Sequence, residues 1–311
     1  MRLRKVIYLL PLAPFFCLLA LYLRSYQPVN LPTKTRTVIQ PKFSANSTQS
    51  SKVEENDTPF KVSTCKEDME HVRVIRELKT DGSRDDKNLT NEFYKWLTKP
   101  VQSACKKVLR VGTGDWGINT GWRSWDGFKY VCADDFPPAS TANEQNCLVY
   151  SFGVNNDASF EDAVASHGCK VFAYDHTIKS LPKSENSGRI NWKPVGLGLE
   201  NSGKLKTLGT LIAENGDTNR TIQYLKVDVD GSERQAITEW IESGSLRNVL
   251  QIGVEFHRVS TYIRIYVQVV QQLYKQGFKT ISWDPNMTTR PVKGEPFNFF
   301  EIVFRRSEIN C

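Results

Sequence analysis

LKVDVDGSE, Leu225 to Glu233, is an apolar run that ends in acids and breaks at Gly231. Behind it Ala236, Ile237, Trp240 and Ile241 recur on one helical face. A strand over Thr221 to Val229 followed by a helix is therefore predicted, with a capping box from Ser232 to Gln235. Strand, tight turn and helix make the repeating unit of a parallel sheet with helices packed on its faces.

The same alternation extends in both directions. Upstream, Cys147 to Phe152 reads as a strand, Ser159 to His167 as a helix opened by Ser159 and Asp162, Lys170 to Tyr174 as a strand and Ile190 to Val195 as another. Leu205 to Ala213 reads as a helix. Downstream come a strand at Val249 to Phe256, a helix at Tyr262 to Tyr274, and strands at Phe278 to Trp283 and Phe297 to Phe304. The last two have no helix between them, which predicts a terminal hairpin and one antiparallel strand. The expected fold class is α/β, a mainly parallel, Rossmann-like sheet of seven strands.

Ligands of such sheets sit at the carboxyl ends of the strands, near the topological switch point. The residues there are the candidate site. SFGVNNDASFE (Ser151 to Glu161) places Phe152, Gly153 and Asn155 after the first strand. Gly153 permits a close backbone approach, although an ordinary strand-to-helix turn has the same composition. Asp175 follows the second strand, 22 residues past Gly153; an acid there can accept hydrogen bonds from both hydroxyls of a ribose. Asp228 and Asp230 flank Val229, and extended alternation would point both to one side, as a divalent-metal pair. The competing role for Asp230 is to start the next helix. IGVEFH puts Glu255 and His257 after the following strand, where with Asp228 they are candidates to take a proton.

CLVYSFGVNNDASFE, VFAYD, LKVDVDGSE, GVEFH and FEIVFRR together resemble the FkbM-related class I methyltransferases, over roughly residues 105 to 306. Within that group they are most similar to a branch of membrane-anchored methyltransferase-like proteins with a lumenal domain. The resemblance implies S-adenosylmethionine held by Gly153 and Asp175, with Asp228 lining the site. It also implies a seven-stranded sheet with one antiparallel strand. The multi-glycine first motif common in such enzymes is reduced here to Gly153.

Arg2, Arg4 and Lys5 precede an apolar stretch, Val6 to Leu23, closed by Arg24. Its 18 residues suffice for one helical span, and the leading cations favour a cytosolic start. A type II signal anchor in the Golgi or ER membrane is expected; a cleaved signal peptide, giving a secreted protein, is the alternative. Residues 25 to 62 are polar and form a stem. Residues 63 to 146 form a helical, aromatic-rich cap. It includes the Gly112-to-Gly121 region, Trp116, Trp122 and Trp125, and a strand near Lys129 to Ala133. Residues 147 to 311 form the methyltransferase-like domain. Met69, Val72, Ile75 and Leu78 mark a helix in the cap, and Phe93, Trp96 and Leu97 a second.

Five N-x-S/T sequons begin at Asn46, Asn56, Asn88, Asn219 and Asn286. Beyond Cys17 in the apolar stretch there are six cysteines, which allow fifteen disulfide pairings and show no zinc-ligand spacing. The net charge of +7 is spread along the chain, so a nucleic-acid partner is not expected. The expected function is methylation of a glycan or small-molecule hydroxyl in the secretory pathway. A Golgi glycosyltransferase using Asp228 and Asp230 as a D-x-D site, or a catalytically inactive binding protein on the same fold, are the alternatives.

Overall fold

The computed structural model describes residues 65–112, 127–286 and 297–308, all within the unit Pro59–Cys311. The apolar stretch Val6 to Leu23, the stem, the sequons at Asn46 and Asn56, and the Trp116, Trp122 and Trp125 run lie outside the described residues. Among the described residues no helix is long and apolar enough to cross a membrane.

Two helices open the described chain, α1 (Cys65–Glu77) and α2 (Asp86–Leu97). Asp85 caps α2 by accepting from the Asn88 backbone N–H. α1 buries Asp68, His71, Val72 and Ile75, while Met69 is 58% exposed and takes no part in the core expected of it. Val72, Ile75 and Leu78 keep the expected stripe, and in the first turn the buried position belongs instead to the polar Asp68. Its carboxylate accepts from the backbone of Gln102 and Ser103.

A short antiparallel pair follows, β1 (Val108–Val111) with β2 (Lys129–Cys132). Then come β3 (Leu148–Phe152), α3 (Ser159–His167), β4 (Lys170–Tyr174) and β5 (Ile190–Lys193). A two-residue parallel pair, β6 (Gly196–Leu197) and β7 (Leu205–Lys206), precedes α4 (Leu208–Glu214). The helix expected from Leu205 therefore starts at Leu208, where Thr207 caps it. The chain ends with β8 (Tyr224–Val227), α5 (Glu233–Ser243), β9 (Gln251–His257), α6 (Ile263–Lys275), β10 (Phe278–Pro285) and β11 (Phe299–Arg306).

The main sheet has seven strands in the order β10-β11-β9-β8-β3-β4-β5. β3, β4, β5, β8 and β9 pair in parallel, and β11 runs antiparallel to both β9 and β10. The Rossmann-like class, the strand count and the terminal hairpin are as the sequence predicts. β3, β8 and β9 are buried along their whole length, as strands covered on both faces must be. α1 and α2 pack against α6, and α5 also packs against α6. The β1–β2 pair lies against β9 and β11, and α3 against β1. Residues from 72 to 304 share one hydrophobic core.

Neither predicted capping box forms. The residue before α3 is Ala158; the Ser159 N–H is taken by Asp157, and Asp162 instead accepts from Ser184 and the Asn186 backbone. Ser232 precedes α5 but makes no side-chain cap. Disulfides join Cys105 to Cys132 and Cys147 to Cys169. Of the three described sequon asparagines, Asn88 and Asn219 are exposed. Asn286 is 8% exposed and donates to Glu255, so its amide has no room for a glycan.

Candidate active site at the carboxyl ends of the central strands

The strand order reverses between β3 and β8, which places the switch point there. Three non-glycine residues have positive φ among the described ones: Asn155 (49°), Asp230 (52°) and Arg258 (54°). They follow β3, β8 and β9, three adjacent strands. Left-handed backbone at non-glycine residues costs free energy and tends to gather at functional sites. It marks the same end of the sheet.

The turn after β3 is fixed from two sides. Gly153 has φ of 80°, and a Cβ there would lie 1.7 Å from the Asp228 carbonyl oxygen. Only glycine lets the β3 turn lie against the end of β8. The Gly153 carbonyl accepts from Lys226 Nζ at 2.9 Å, and that ammonium also meets Glu161 at 3.0 Å. On the other side, Asp175 Oδ2 accepts from the Asn155 backbone N–H at 2.8 Å. Asp175 Oδ1 takes the Thr177 N–H at 2.8 Å and the Thr177 hydroxyl at 2.6 Å. Burial alone would raise the Asp175 pKa, but these donors outweigh it and hold the carboxyl below its usual range. Oδ1 is filled and Oδ2 keeps one lone pair, so Asp175 has room for one ribose hydroxyl rather than the two expected. Phe152 does not offer a contact surface: its ring is 1% exposed and stacks on Tyr174 with centroids 4.9 Å apart.

Beside this turn lies a dense ionic cluster. Asp228 follows β8 with its side chain 24% exposed. Glu255 and His257 sit at the end of β9, with Glu255 Oε2 3.4 Å from His257 Nε2. Donor atoms of Asp228, Glu255 and His257 lie within 4.8 Å of one another. Asp230 does not join Asp228. β8 stops at Val227, the backbone turns left-handed at Asp230, and that side chain is fully exposed, reaching no closer than 3.8 Å to His257. The alternation assumed for the D-V-D triplet therefore fails one residue before it is needed, and the helix-starting role expected of Asp230 falls to position 232.

Four further groups complete the cluster, none of them evident from the sequence. Lys129, at the start of β2, is 1% exposed; its ammonium bonds Glu301 of β11 and lies 3.4 Å from Asp228. Glu301 stands opposite Glu255 across the β11–β9 register. Glu233 accepts from the His257 backbone N–H at 2.9 Å, the Gly231 N–H at 2.8 Å and the Tyr266 hydroxyl at 2.5 Å. Asn286 donates to Glu255 at 2.6 Å. The available signal was a charge inside an apolar run: Glu301 in FFEIVF and Lys129 in FKYVC. Isolated charges in such runs are buried only when paired.

Electrostatics sort the roles. Burial would lower the His257 pKa, but Glu233 and Glu255 outweigh it and raise it to about 11, so the ring is an imidazolium near neutrality. A ring already protonated cannot accept a proton, which removes His257 from the candidate bases. Burial raises Glu255, and the charge of Asp228 adds to the effect. Burial would raise Asp228 as well, but Lys129, Lys226 and His257 overcome it and hold Asp228 ionised. Burial pushes Glu301 up to about 8, helped by Glu255 and Asp228 and opposed by Lys129. Two carboxylates in one site pushed in opposite directions are the usual mark of an assigned acid–base pair.

A family model described as "Methyltransferase domain" matches residues 66–294. The human protein named "Probable methyltransferase-like protein 24" is 25% identical over 170 residues, 48% of this chain and 46% of that protein. Its Rattus norvegicus counterpart is 24% identical over 202 residues, 58% and 53%. The chain thus spans about half the length of the curated relatives it matches. Among solved structures, the Methanococcus jannaschii fibrillarin pre-rRNA processing protein superposes with a TM-score of 0.34 at 11% identity, covering 64% of this chain and 89% of that one. With its matched region running from α1 to beyond β10, this chain belongs to the methyltransferase domain family.

Proposed function

We propose that the chain is an S-adenosylmethionine-dependent methyltransferase acting on a hydroxyl, with Glu255 as the proton acceptor. The observation that carries this reading is the strand-end arrangement: a glycine turn seated on Asp228 and tethered to Asp175, beside a carboxyl of raised pKa. When bound, the cofactor supplies an electrophilic methyl group on a cationic sulfur. Gly153 and Asn155 would approach it through backbone atoms, and Asp175 Oδ2 would accept one ribose hydroxyl. Asp228, ionised and close by, would favour the positive sulfur and orient the acceptor. Glu255 would take the acceptor's proton as its oxygen becomes the ether oxygen. His257 and Asn286 would hold that carboxylate in place. The proposed acceptor is a glycan or small-molecule hydroxyl in the lumen of the secretory pathway, with the chain anchored through Val6 to Leu23.

The glycosyltransferase alternative loses its paired metal ligands, because the Asp230 side chain is exposed to solvent and does not join Asp228. Isothermal titration with S-adenosylmethionine and S-adenosylhomocysteine, beside UDP-sugars with manganese, tests the choice. Micromolar binding of the methyl donor and none of the UDP-sugars is expected. The opposite pattern would replace this reading with sugar transfer. Release of S-adenosylhomocysteine in the presence of glycan or small-molecule pools would then identify the acceptor.

A further inference from the structure

A buried ammonium is costly unless carboxylates surround it, and a buried set of carboxylates is costly unless a cation joins them. Lys129 meets both conditions. Asp228, Glu255 and Glu301 come from the ends or register positions of three neighbouring strands, β8, β9 and β11. The Lys129 ammonium bonds Glu301 and lies 3.4 Å from Asp228.

It arrives on a rigid element. The Cys105–Cys132 disulfide ties down the end of β2. The Gln251 side chain accepts from the Cys132 N–H at 2.7 Å and donates to its carbonyl at 2.8 Å, and the Tyr224 hydroxyl donates to the Tyr130 carbonyl at 2.8 Å. A flexible surface lysine would not be fastened this way; here the β1–β2 pair aims one ammonium at one place.

We propose that Lys129 is the resident cation of this site, occupying the slot that a divalent metal would otherwise take among Asp228, Glu255 and Glu301. As a positioning residue it acts through Asp228 and Glu255, holding the first ionised and in place and leaving the second free to move a proton. That consequence rests on the methyl-transfer reading; the electrostatic claim stands on geometry alone. Two of these carboxylates, Asp228 and Glu255, have donor atoms within 4.8 Å of one another and of the His257 imidazole, the composition of a manganese or zinc site once the ammonium is gone.

The test uses the full chain as the parent, with Lys129→Ala, Asp228→Asn and the Lys129→Ala/Asp228→Asn double variant. Manganese binding is read by electron paramagnetic resonance. Melting temperature is read with and without ethylammonium chloride, against sodium chloride at equal ionic strength. The parent is expected to bind no manganese at Asp228. Lys129→Ala is expected to bind it at least tenfold more tightly than the parent, and the double variant to lose that gain. Ethylammonium should raise the melting temperature of Lys129→Ala and not that of the parent. Asp228-dependent manganese binding by the parent would overturn the proposal. So would a folded Lys129→Ala that gains no manganese and ignores ethylammonium. If Lys129→Ala does not fold, Lys129→Ala/Glu301→Gln removes the ammonium together with the carboxyl it bonds and is expected to fold; its failure would also overturn the proposal. S-adenosylmethionine titration on the same samples keeps the two readings apart, since a parent that binds no methyl donor leaves the manganese result standing.

Discussion

Replacing Asp175 tests how the cofactor turn is held. In Asp175→Ala three donors lose their acceptor: the Asn155 N–H, the Thr177 N–H and the Thr177 hydroxyl. Hydrogen bonds to a charged group contribute about 1.5–3 kcal/mol each, so the gross sum is about 4.5–9 kcal/mol. Asn155 is exposed and the Thr177 hydroxyl can turn to water, so much of that is recovered. A net loss of about 2–4 kcal/mol remains, or roughly 4–16 °C in melting temperature for a domain of this size. Asp175→Asn is the sharper variant. Its single oxygen would stay with the two Thr177 donors, and its amide would face the Asn155 N–H, donor against donor. It should cost about 1–2 kcal/mol and loosen the Gly153 turn alone. Affinity for S-adenosylmethionine should fall about tenfold to a hundredfold in both variants, through the lost hydroxyl contact and the loosened turn. Thermal melts and isothermal titration measure the two effects. If Asp175→Ala melts with the parent and binds the methyl donor equally well, Asp175 neither organises the turn nor meets the cofactor, and the site is elsewhere.

Gly153→Ala should lose more than about 3 kcal/mol, or fail to fold, because its Cβ would sit 1.7 Å from the Asp228 carbonyl at φ of 80°; denaturant unfolding measures it. Stability should fall as pH rises through neutrality. The folded-state pKa of Glu301, about 8 against 4.5, removes stabilisation between those values, and that of His257, about 11 against 6.5, does so above pH 6.5. His71, lowered to about 4 by burial, and Lys279, lowered to about 8 by burial, act in the opposite sense below pH 6.5 and above pH 8, so unfolding midpoints should decline between about pH 6.5 and 8, and Glu301→Gln should flatten that slope; a rising curve there in the parent would contradict the charge states derived above. Glu255→Gln should reduce methyl transfer about a hundredfold or more with the methyl donor still bound, while His257→Gln should cost less, as release of S-adenosylhomocysteine reports. Mass spectrometry of the chain from a secretory host should find glycan at Asn88 or Asn219 and none at Asn286, whose amide is inside the protein.

β3, β4 and β8 were legible because they are short apolar runs closed by Gly153, Asp175 and Asp228, and burial of central strands on both faces leaves little choice of residue. Gly153, Asp175, Asp228, Glu255 and His257 were legible for a related reason: a strand end in a parallel sheet is a place that can be counted from the sequence. What was hidden depends on register. That Glu301 faces Glu255 is a matter of strand register, and the contacts of Lys129 with Glu301 and Asp228 span 172 and 99 residues; no local pattern carries either. The role of Asp230 was misread because alternation holds only while the chain stays extended, and β8 ends at Val227. The sequence leaves His257 among three candidate bases because its charge state depends on Glu233, which in the sequence looks like an ordinary acid in the first turn of a helix.

The position of β11 has a consequence for how the chain can be made. It is the last described strand, yet it lies between β9 and β10, so its pairing edges are both internal. While the ribosome is still adding residues 299–306, β9 and β10 have no partner between them, and each shows an open apolar edge. At about 5–20 residues per second that interval is brief, but it is the time when edge-to-edge association with another nascent chain is most favourable. A stop codon before residue 299 would make the condition permanent: the product would retain β3, β4, β8 and most of the candidate site, yet be expected in aggregates rather than in solution.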